Sequence, residues 1–306
     1  MIFQYNRNII DMKIFYGLEN NQFDVTEICN TLLKTNDIIL IPSGDHKRSS
    51  YFTDKNPGLL KSIFIEIDGI KTKYNDLVEI EINTITNEIV EKSNNVDLKL
   101  QSIHNKYRLD FGSFQEELPE QKMAVKFLTG NEKVLEIGGN IGRNTIVIAD
   151  ILKTNKFVTL ESDSDIANKL KHNRDINNLS FIIEESALSK RKLIQKGWNT
   201  IPSNDLKPGY KNVNTITWQE LNDKYNIIFD TLVLDCEGAF YYILQDMPEV
   251  LDNINLIIME NDYHNIEHKK YIDNILKNTG FNVVYSEAGG WGCCYNNFFE
   301  VWKKYK

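Results

Sequence analysis

Hydrophobic and polar positions follow two different patterns along the chain, and the change falls near residue 105. Before it, short runs of β character dominate, and VEIEINTIT (78–86) alternates between apolar and polar residues. Such alternation predicts a strand with one buried face. A helix is expected over VTEICNTLLK, with Asp24 or Thr26 as its N-cap. The other strands predicted here are KIFYG (13–17), IILIP (38–42) and SIFIEI (62–67).

Two polar stretches of this region are predicted to lack regular structure. SGDHKRSSYFTDKNPG (43–58) is rich in turn-forming residues and is interpreted as a long loop. Residues 87–118 are polar and irregular, which is typical of a linker. The pattern therefore predicts a β-rich accessory module with the start of a linker at 1–105, followed by a second domain at 106–306.

The second domain alternates strands with helices. Pro119 opens an amphipathic helix that Gly130 ends, and the strands after it are continuous apolar runs. Such runs predict a mostly parallel sheet covered by helices on both faces. The last two strands have no helix between them, so we expect an antiparallel pair at the sheet edge. The predicted strands are KVLEI (133–137), KFVTLE (156–161), SFIIEES (180–186), DTLVLD (230–235), INLIIME (254–260), FNVVYSE (281–287) and CCYNNFFEVW (293–302).

Composition and charge narrow the functional classes. Hydrophobic residues make up 42% and charged residues 25% of the 306 positions, which is typical of a globular protein. A net charge of -8 disfavours nucleic acid as a partner. No apolar run is long enough to span a membrane, and the start lacks the pattern of a signal peptide. The four cysteines form no CxxC pair, so a reducing, cytoplasmic location is expected.

The stretch VLEIGGNIGRNT (134–145) places a glycine turn between a strand and a helix, where open parallel sheets bind ligands. A dinucleotide would prefer G-x-G-x-x-G and would bring a pyrophosphate against Glu136. A P-loop would need Lys-Ser/Thr where the chain has Arg143 and Asn144. S-adenosylmethionine is cationic at its amino-acid end, so a carboxylate favours it. We therefore predict a site for S-adenosylmethionine at Gly138–Asn144.

Residues that end the next two strands fit the rest of this cofactor. Glu161 follows Gly138 by 23 residues and could accept hydrogen bonds from both ribose hydroxyls, although this acid fits NAD equally well. Ser186 and Ala187 would lie beside the adenine. In the purely structural alternative, the glycines only form a tight turn and Glu161 only caps the next helix.

Several acids and one imidazole follow the far strands, in LVLDCEG (232–238) and IIMENDYH (257–264). One of them could be a general base for an alcohol acceptor. Alternatively, Asp235 and Glu260 could hold Mg²⁺ or Ca²⁺. Helix capping or a surface loop would also explain these side chains. The candidate catalytic residues are Asp235, Glu237, Glu260 and His264, with Asp262 beside them.

VLEIGGNIGRNT and LVLDCEG together resemble the V-x-D-x-G-A-N-x-G-x-x-T and L-K-x-D-V-E-G motifs of the FkbM family of methyltransferases, over roughly 116–285. The resemblance implies a Rossmann-like class I methyltransferase that uses S-adenosylmethionine, commonly on sugar oxygens. Val233 replaces the family's frequent lysine and Gly139 its alanine. By position, the resemblance assigns Asp235 and Glu237 to the reaction centre. It assigns to the cofactor site Glu136, Gly138, Asn140, Gly142, Thr145 and Glu161.

The first module, with DVTEIC, IPSGD and YFTD, resembles leading segments of sugar-modifying proteins encoded by giant DNA viruses. The heavy use of Asn, Ile and Lys is consistent with an AT-rich genome. This resemblance implies a location in the host cytoplasm. A module of this kind could recognise a glycan or join two protomers as a homodimer.

Three functions follow as hypotheses. The first is O-methylation of a sugar hydroxyl, in a nucleotide sugar or a glycan, with the segment 189–215 as a lid whose Trp198 or Tyr210 stacks on the sugar. The second is an RNA methyltransferase of the same fold, with KRSSYF (47–52) and SKRKLIQKGW (189–198) as candidate RNA contacts. The third is a glycan-binding protein without catalysis.

Overall fold

The computed structural model describes residues 12–56, 59, 61–76, 78–93, 95–152, 156–197 and 199–304. Trp198 lies outside the described residues. The chain forms two compact units, Met1–Lys99 and Leu100–Lys306. Within the described ranges, no helix combines the length and the apolar character needed to cross a membrane.

The first unit contains two four-stranded antiparallel sheets, and all four strands expected from the sequence are present. Its helices are α1 (Thr26–Leu32) and α2 (Asp45–Phe52), and α3 (Asn95–Lys106) follows at the division between the units. Its strands are β1 (Met12–Leu18), β2 (Asn21–Asp24), β3 (Lys34–Thr35), β4 (Ile38–Ile41), β5 (Ser62–Ile67), β6 (Ile70–Tyr74), β7 (Val78–Asn83) and β8 (Ile89–Ser93). The sheet orders are β2-β1-β5-β6 and β3-β4-β7-β8.

Alternation along β7 accounts for how these sheets enclose their core. Val78, Ile80 and Ile82 are buried, and the residues between them are partly exposed. This is the pattern of a strand with one face on the core. The predicted strand over VEIEIN and the helix over TEICNTL are both confirmed.

Two expectations for this region are wrong. The segment 43–58 contains helix α2 instead of a continuous loop, because Arg48 and Phe52 lie four residues apart and both face the core. Turn-forming neighbours hide this spacing in the sequence. The stretch 87–118 is not irregular throughout, since β8 and α3 lie within it.

The second unit contains a seven-stranded sheet with helices between its strands. Its helices are α4 (Leu118–Phe127), α5 (Arg143–Ile151), α6 (Ser164–Ile176), α7 (Trp218–Tyr225), α8 (Ala239–Asp246) and α9 (Ile266–Asn278). Its strands are β9 (Val134–Ile137), β10 (Phe157–Leu160), β11 (Ile182–Glu184), β12 (Ala187–Leu188), β13 (Leu193–Lys196), β14 (Asn199–Pro202), β15 (Lys211–Val213), β16 (Thr215–Ile216), β17 (Thr231–Leu234), β18 (Leu256–Glu260), β19 (Phe281–Glu287) and β20 (Phe299–Lys304).

The order of the large sheet is β11-β10-β9-β17-β18-β20-β19. The first five strands are parallel, and β20 is antiparallel to both of its neighbours. Every residue of β9, β10 and β17 is buried, as expected for strands covered on both faces. The predicted mostly parallel sheet and its antiparallel closing pair are confirmed. The expected strand over 293–302 is shorter, because residues 292–297 form a 3₁₀ helix before β20.

The polar stretch between β11 and α7 has a structure of its own. A short parallel pair, β12 and β16, forms its base. Between them, β14, β13 and β15 form a three-stranded antiparallel sheet with β13 in the centre. This insertion follows the strand whose end was expected to lie near the adenine.

Candidate functional site

A cavity of about 630 Å³ lies at the carboxyl ends of the parallel strands, within the usual size range of ligand pockets. Residues that follow β9, β10, β17 and β18 line it. The direction in which successive strands are added reverses at β9, since β10 lies on one side of it and β17 on the other. Ligands bind at such switch points in open α/β sheets.

The glycine turn after β9 is required by the packing of the protein itself. A Cβ atom on Gly138 would lie 1.6 Å from the carbonyl oxygen of Asp235, and one on Gly139 would lie 2.2 Å from Thr159 Oγ1. Gly138 also has a φ of +94°, which favours glycine. Gly138 therefore lets the loop after β9 approach Asp235 after β17, and Gly139 lets it pack against β10.

Glu136 is placed differently from the expectation that it faces the ligand. It lies within β9, is 2% exposed and does not line the cavity. Thr145 donates a hydrogen bond of 2.6 Å to its carboxyl group, and burial raises its pKa to about 8. Glu136 therefore ties α5 to β9, and the charge at the cavity comes from other acids.

Glu161 lies at the cavity, held by the two loops beside it. Its carboxylate accepts backbone N–H bonds from Asn140 at 2.9 Å and from Asp163 at 2.8 Å. Asn140 in turn donates through its side chain to Glu117 at 3.2 Å. This network fixes Glu161, Asn140 and Glu117 at the cavity wall, where each has further hydrogen-bonding capacity.

The other predicted cofactor residues fall into two groups. Gly138, Asn140, Glu161, Ser186 and Ala187 line the cavity. The remaining ones do not line it: Gly142, Asn144 and Thr145 lie at the start of α5, and Glu136 lies within β9.

Sequence reasoning missed Glu117 and Glu120, which flank Pro119 at the start of α4. Both line the cavity, and burial raises the pKa of Glu117 to about 7 and that of Glu120 to about 8. Arg143 donates to Glu117 at 2.7 Å, whereas Glu120 Oε2 has no hydrogen-bond partner. Glu120 lies in the first turn of α4, whereas Glu117 is its N-cap residue with a left-handed φ, so helical spacing in the sequence does not place the two acids together.

Asp235 and Glu260 end β17 and β18 at the cavity and form a hydrogen-bonded carboxyl pair. Burial and the Asp235 charge raise the pKa of Glu260 to about 11. Burial also raises the pKa of Asp235, so the two carboxyl groups share a proton across their hydrogen bond. Among the described residues, no group of three His, Cys, Asp or Glu side chains is arranged to hold a metal ion. The metal-binding hypothesis for this pair gains no support.

The remaining candidates of the far strands differ in placement. Glu237 and His264 line the cavity, and His264 packs against Trp291 with ring centroids 4.4 Å apart. Burial raises the pKa of Glu237. Asp262 does not line the cavity and instead accepts the N–H of Gly238 at 2.8 Å, which fixes the start of α8.

Backbone conformation also marks this cavity. Three of its non-glycine residues have left-handed φ angles: Glu117 at 57°, Asn140 at 46° and Glu237 at 49°. Residues in this region of φ are uncommon and are concentrated at functional sites. Strain at three points around one cavity supports its assignment as the functional site.

The lining is strongly acidic. Counted over the described residues, seven carboxyl side chains and one arginine line the cavity. The arginine, Arg191, is already paired with Asp246 through bonds of 2.6 and 2.8 Å. A ligand carrying positive charge would relieve the repulsion among these carboxyl groups.

The sheet and the position of its cavity define the fold. A seven-stranded sheet with this strand order, one reversed strand and a cavity at the switch point is the Rossmann-like fold of class I methyltransferases. The predicted fold class is thus confirmed.

The chain is similar, at low identity, to solved structures of two methyltransferases. One is an O-methyltransferase from Bacillus cereus in complex with SAH, 17% identical, with a TM-score of 0.39 over 70% of this chain and 92% of that chain. Another is an rRNA methylase from Streptococcus thermophilus, 9% identical, with a TM-score of 0.38 over 61% and 94% of the two chains. At these values, neither likeness assigns an activity. No family model and no curated protein matches the chain, so membership of the FkbM family is not shown.

Proposed function

We propose that the protein is an S-adenosylmethionine-dependent methyltransferase that methylates a sugar hydroxyl. The observation that carries this proposal is the acid-rich cavity at the switch point of a methyltransferase fold. An NAD pyrophosphate would bring negative charge to the same carboxyl groups, whereas the ammonium and sulfonium of S-adenosylmethionine bring positive charge.

The cavity residues fit this cofactor. Glu161 lies at the end of β10, where its carboxylate can accept from ribose hydroxyls. Glu120 Oε2 is a buried oxygen without a partner at the cavity, and a cationic group would satisfy it. Glu117 and Asn140 would hold the amino-acid end, and Ser186 and Ala187 would lie beside the adenine.

When bound, S-adenosylmethionine supplies a methyl group on a sulfonium that becomes a neutral thioether as the acceptor oxygen takes the methyl. The acceptor hydroxyl must lose a proton in this step. We assign this role to Asp235, which lines the cavity beside Gly138 and shares a proton with Glu260. The hydrogen bond between Asp235 and Glu260 holds the Asp235 carboxyl group in one orientation.

The proposed acceptor is a sugar, in line with the FkbM resemblance. RNA is the weaker candidate because of the side chains in the two segments considered for RNA binding. In KRSSYF, Arg48 and Phe52 are buried. In SKRKLIQKGW, Lys190 pairs with Glu249 and Arg191 with Asp246. These side chains therefore offer little free positive charge for a phosphate backbone.

The proposal is tested by calorimetry with S-adenosylmethionine, S-adenosylhomocysteine and NAD, followed by a methyl-transfer assay on sugars. We expect both adenosyl ligands to bind and NAD not to bind. Binding of NAD without binding of S-adenosylmethionine would refute the proposal. Binding of neither adenosyl ligand would favour the glycan-binding alternative, whereas tight binding of S-adenosylmethionine would speak against it.

A further inference from the structure

The three-stranded insertion contributes one wall of the cavity. In the pairing of β13 with β14, Gln195 lies opposite Thr200 and Leu193 lies opposite Pro202. Directly opposed residues of an antiparallel pair point to the same face. All four residues line the cavity, so this face of the hairpin forms an uncharged wall opposite the acids.

Gln195 is the polar centre of this wall. Its side chain is 6% exposed, and its Oε1 atom has no hydrogen-bond partner. β13 is paired on both sides, which holds the residue in place. A buried amide oxygen without a partner costs free energy, and the hydroxyl group of a ligand can satisfy it by donating a hydrogen bond. The wall is therefore built for a ligand that carries hydroxyl groups.

Charge decides which hydroxyl-bearing ligands fit. Apart from His264, Arg191 is the only basic side chain among the described residues of the lining, and its Nε and Nη2 groups donate to Asp246. A phosphate or diphosphate would enter a cavity that already holds seven carboxyl groups. Such a group would lack the cations that normally bind it.

We infer that the acceptor is an uncharged sugar, a glycoside or the end of a glycan, whose hydroxyl group binds the side-chain amide of Gln195. Nucleotide diphosphate sugars are excluded as acceptors. This inference rests on the proposed methyltransferase function and narrows its acceptor. It makes Gln195 a specificity-determining residue.

The first test uses the wild-type protein, radiolabelled S-adenosylmethionine, a panel of methyl glycosides and the corresponding nucleotide diphosphate sugars. We expect at least one methyl glycoside to be methylated with a kcat/KM at least about tenfold above that of its nucleotide-linked counterpart. Equal or better use of a nucleotide sugar would overturn the inference. So would the absence of transfer to every methyl glycoside by a protein that binds the cofactor. Failure to bind S-adenosylmethionine would refute the proposed function and, with it, this inference.

The second test replaces the amide while keeping the side-chain length, in Gln195→Met. We expect the KM for the methyl glycoside to rise about tenfold, with kcat and the affinity for S-adenosylmethionine changed less than about twofold. Gln219→Met is the matched control, since Gln219 is exposed on α7 and does not line the cavity. An unchanged KM for the acceptor, or an equal loss of cofactor affinity, would contradict the role of Gln195. If the variant does not fold, the wild-type comparison decides alone.

Discussion

Buried charged groups occur in both units, but their partners differ. In the first unit, Arg48 is fully buried and donates to the carbonyl oxygens of Pro42, Asn75 and Val78 at 2.7–2.9 Å. Lys61 is paired with two aspartates, Asp45 at 2.9 Å and Asp54 at 3.0 Å. At the cavity of the second unit, carboxyl groups lie beside other carboxyl groups, and one oxygen of Glu120 has no partner.

The difference distinguishes structural from functional polar groups. A buried charge whose hydrogen bonds are complete stabilises one conformation of the loops around it. A buried carboxyl without a complete set of partners raises the free energy of the folded protein, and a ligand that completes the set lowers it. The arginine of the first unit therefore has a structural role, and for the acids of the cavity we propose a binding role.

The largest expected effect is on catalysis, in Asp235→Asn. Asparagine keeps the shape of the residue but cannot take the proton of an acceptor hydroxyl. We expect turnover to fall by about 10²–10⁴-fold, with the affinity for S-adenosylmethionine within a few fold of wild type. Steady-state kinetics and calorimetry measure the two. Asp230→Asn is the control, because Asp230 precedes the same strand at its opposite end. Normal turnover in Asp235→Asn would show that the catalytic assignment is wrong.

Arg48→Met tests the structural side of the comparison. Three buried carbonyl oxygens would lose their donor, and we expect the free energy of unfolding of the first unit to fall by about 3 kcal/mol or more. Hydrogen exchange of the amides of β4 and β7 reports on this unit within the full-length chain. The control is Lys47→Met, an exposed position on the same helix, with an expected change below about 1 kcal/mol. Similar exchange in both variants would contradict a structural role for Arg48.

Glu161→Ala tests the binding side. It removes a carboxylate that we expect to bind the ribose, so the cofactor should bind about 1–3 kcal/mol more weakly. Calorimetry with S-adenosylmethionine and with S-adenosylhomocysteine should give the same loss, because the ribose is common to both. A loss for only one of the two ligands would place Glu161 at the sulfonium instead. Glu185→Ala provides a comparison at a carboxylate that pairs with Lys171 and does not line the cavity.

Glu120→Gln sharpens the comparison through pH. Burial raises the pKa of Glu120 from 4.5 to about 8, so the folded protein holds this proton more tightly than the unfolded chain does. The resulting stability is complete below about pH 4.5 and is lost as the pH rises towards 8. Glutamine does not titrate, so its contribution to stability does not fall in this way. The free energy of unfolding of the variant relative to wild type should therefore rise by about 1 kcal/mol per pH unit in this window. Urea unfolding between pH 5 and pH 8 measures the gain, with Glu267→Gln on α9 as an exposed control. Parallel curves for Glu120→Gln and wild type would contradict the effect.

The sequence predicted the second unit well because its signals are local. Apolar runs between helical segments indicated β9, β10, β17 and β18, and the missing helix before β20 indicated the antiparallel pair. The first unit was harder, since helix α2 depends on Arg48 finding carbonyl oxygens that are 27 and 30 residues away along the chain. No local pattern contains that information.

The candidate site was predictable in its position but less so in its details. The end of a strand indicates which residues reach the sheet edge, and so Asp235, Glu260 and Glu161 were found. The direction of a side chain could not be predicted in the same way. Glu136 is in the expected strand, but its carboxyl group points into the packing towards Thr145. Glu117 was missed because its approach to the cavity depends on a left-handed φ and on Arg143, both of which arise only in the folded unit.

The position of β20 has a consequence for synthesis on the ribosome. β20 lies between β18 and β19 in the sheet, although it follows both in the chain. Until it has left the exit tunnel, the nascent polypeptide carries β18 and β19 with no strand to bridge them, and each presents an open edge. An open edge of this kind invites pairing with other chains. The residues of this strand therefore protect the newly made protein from aggregation as well as completing its sheet.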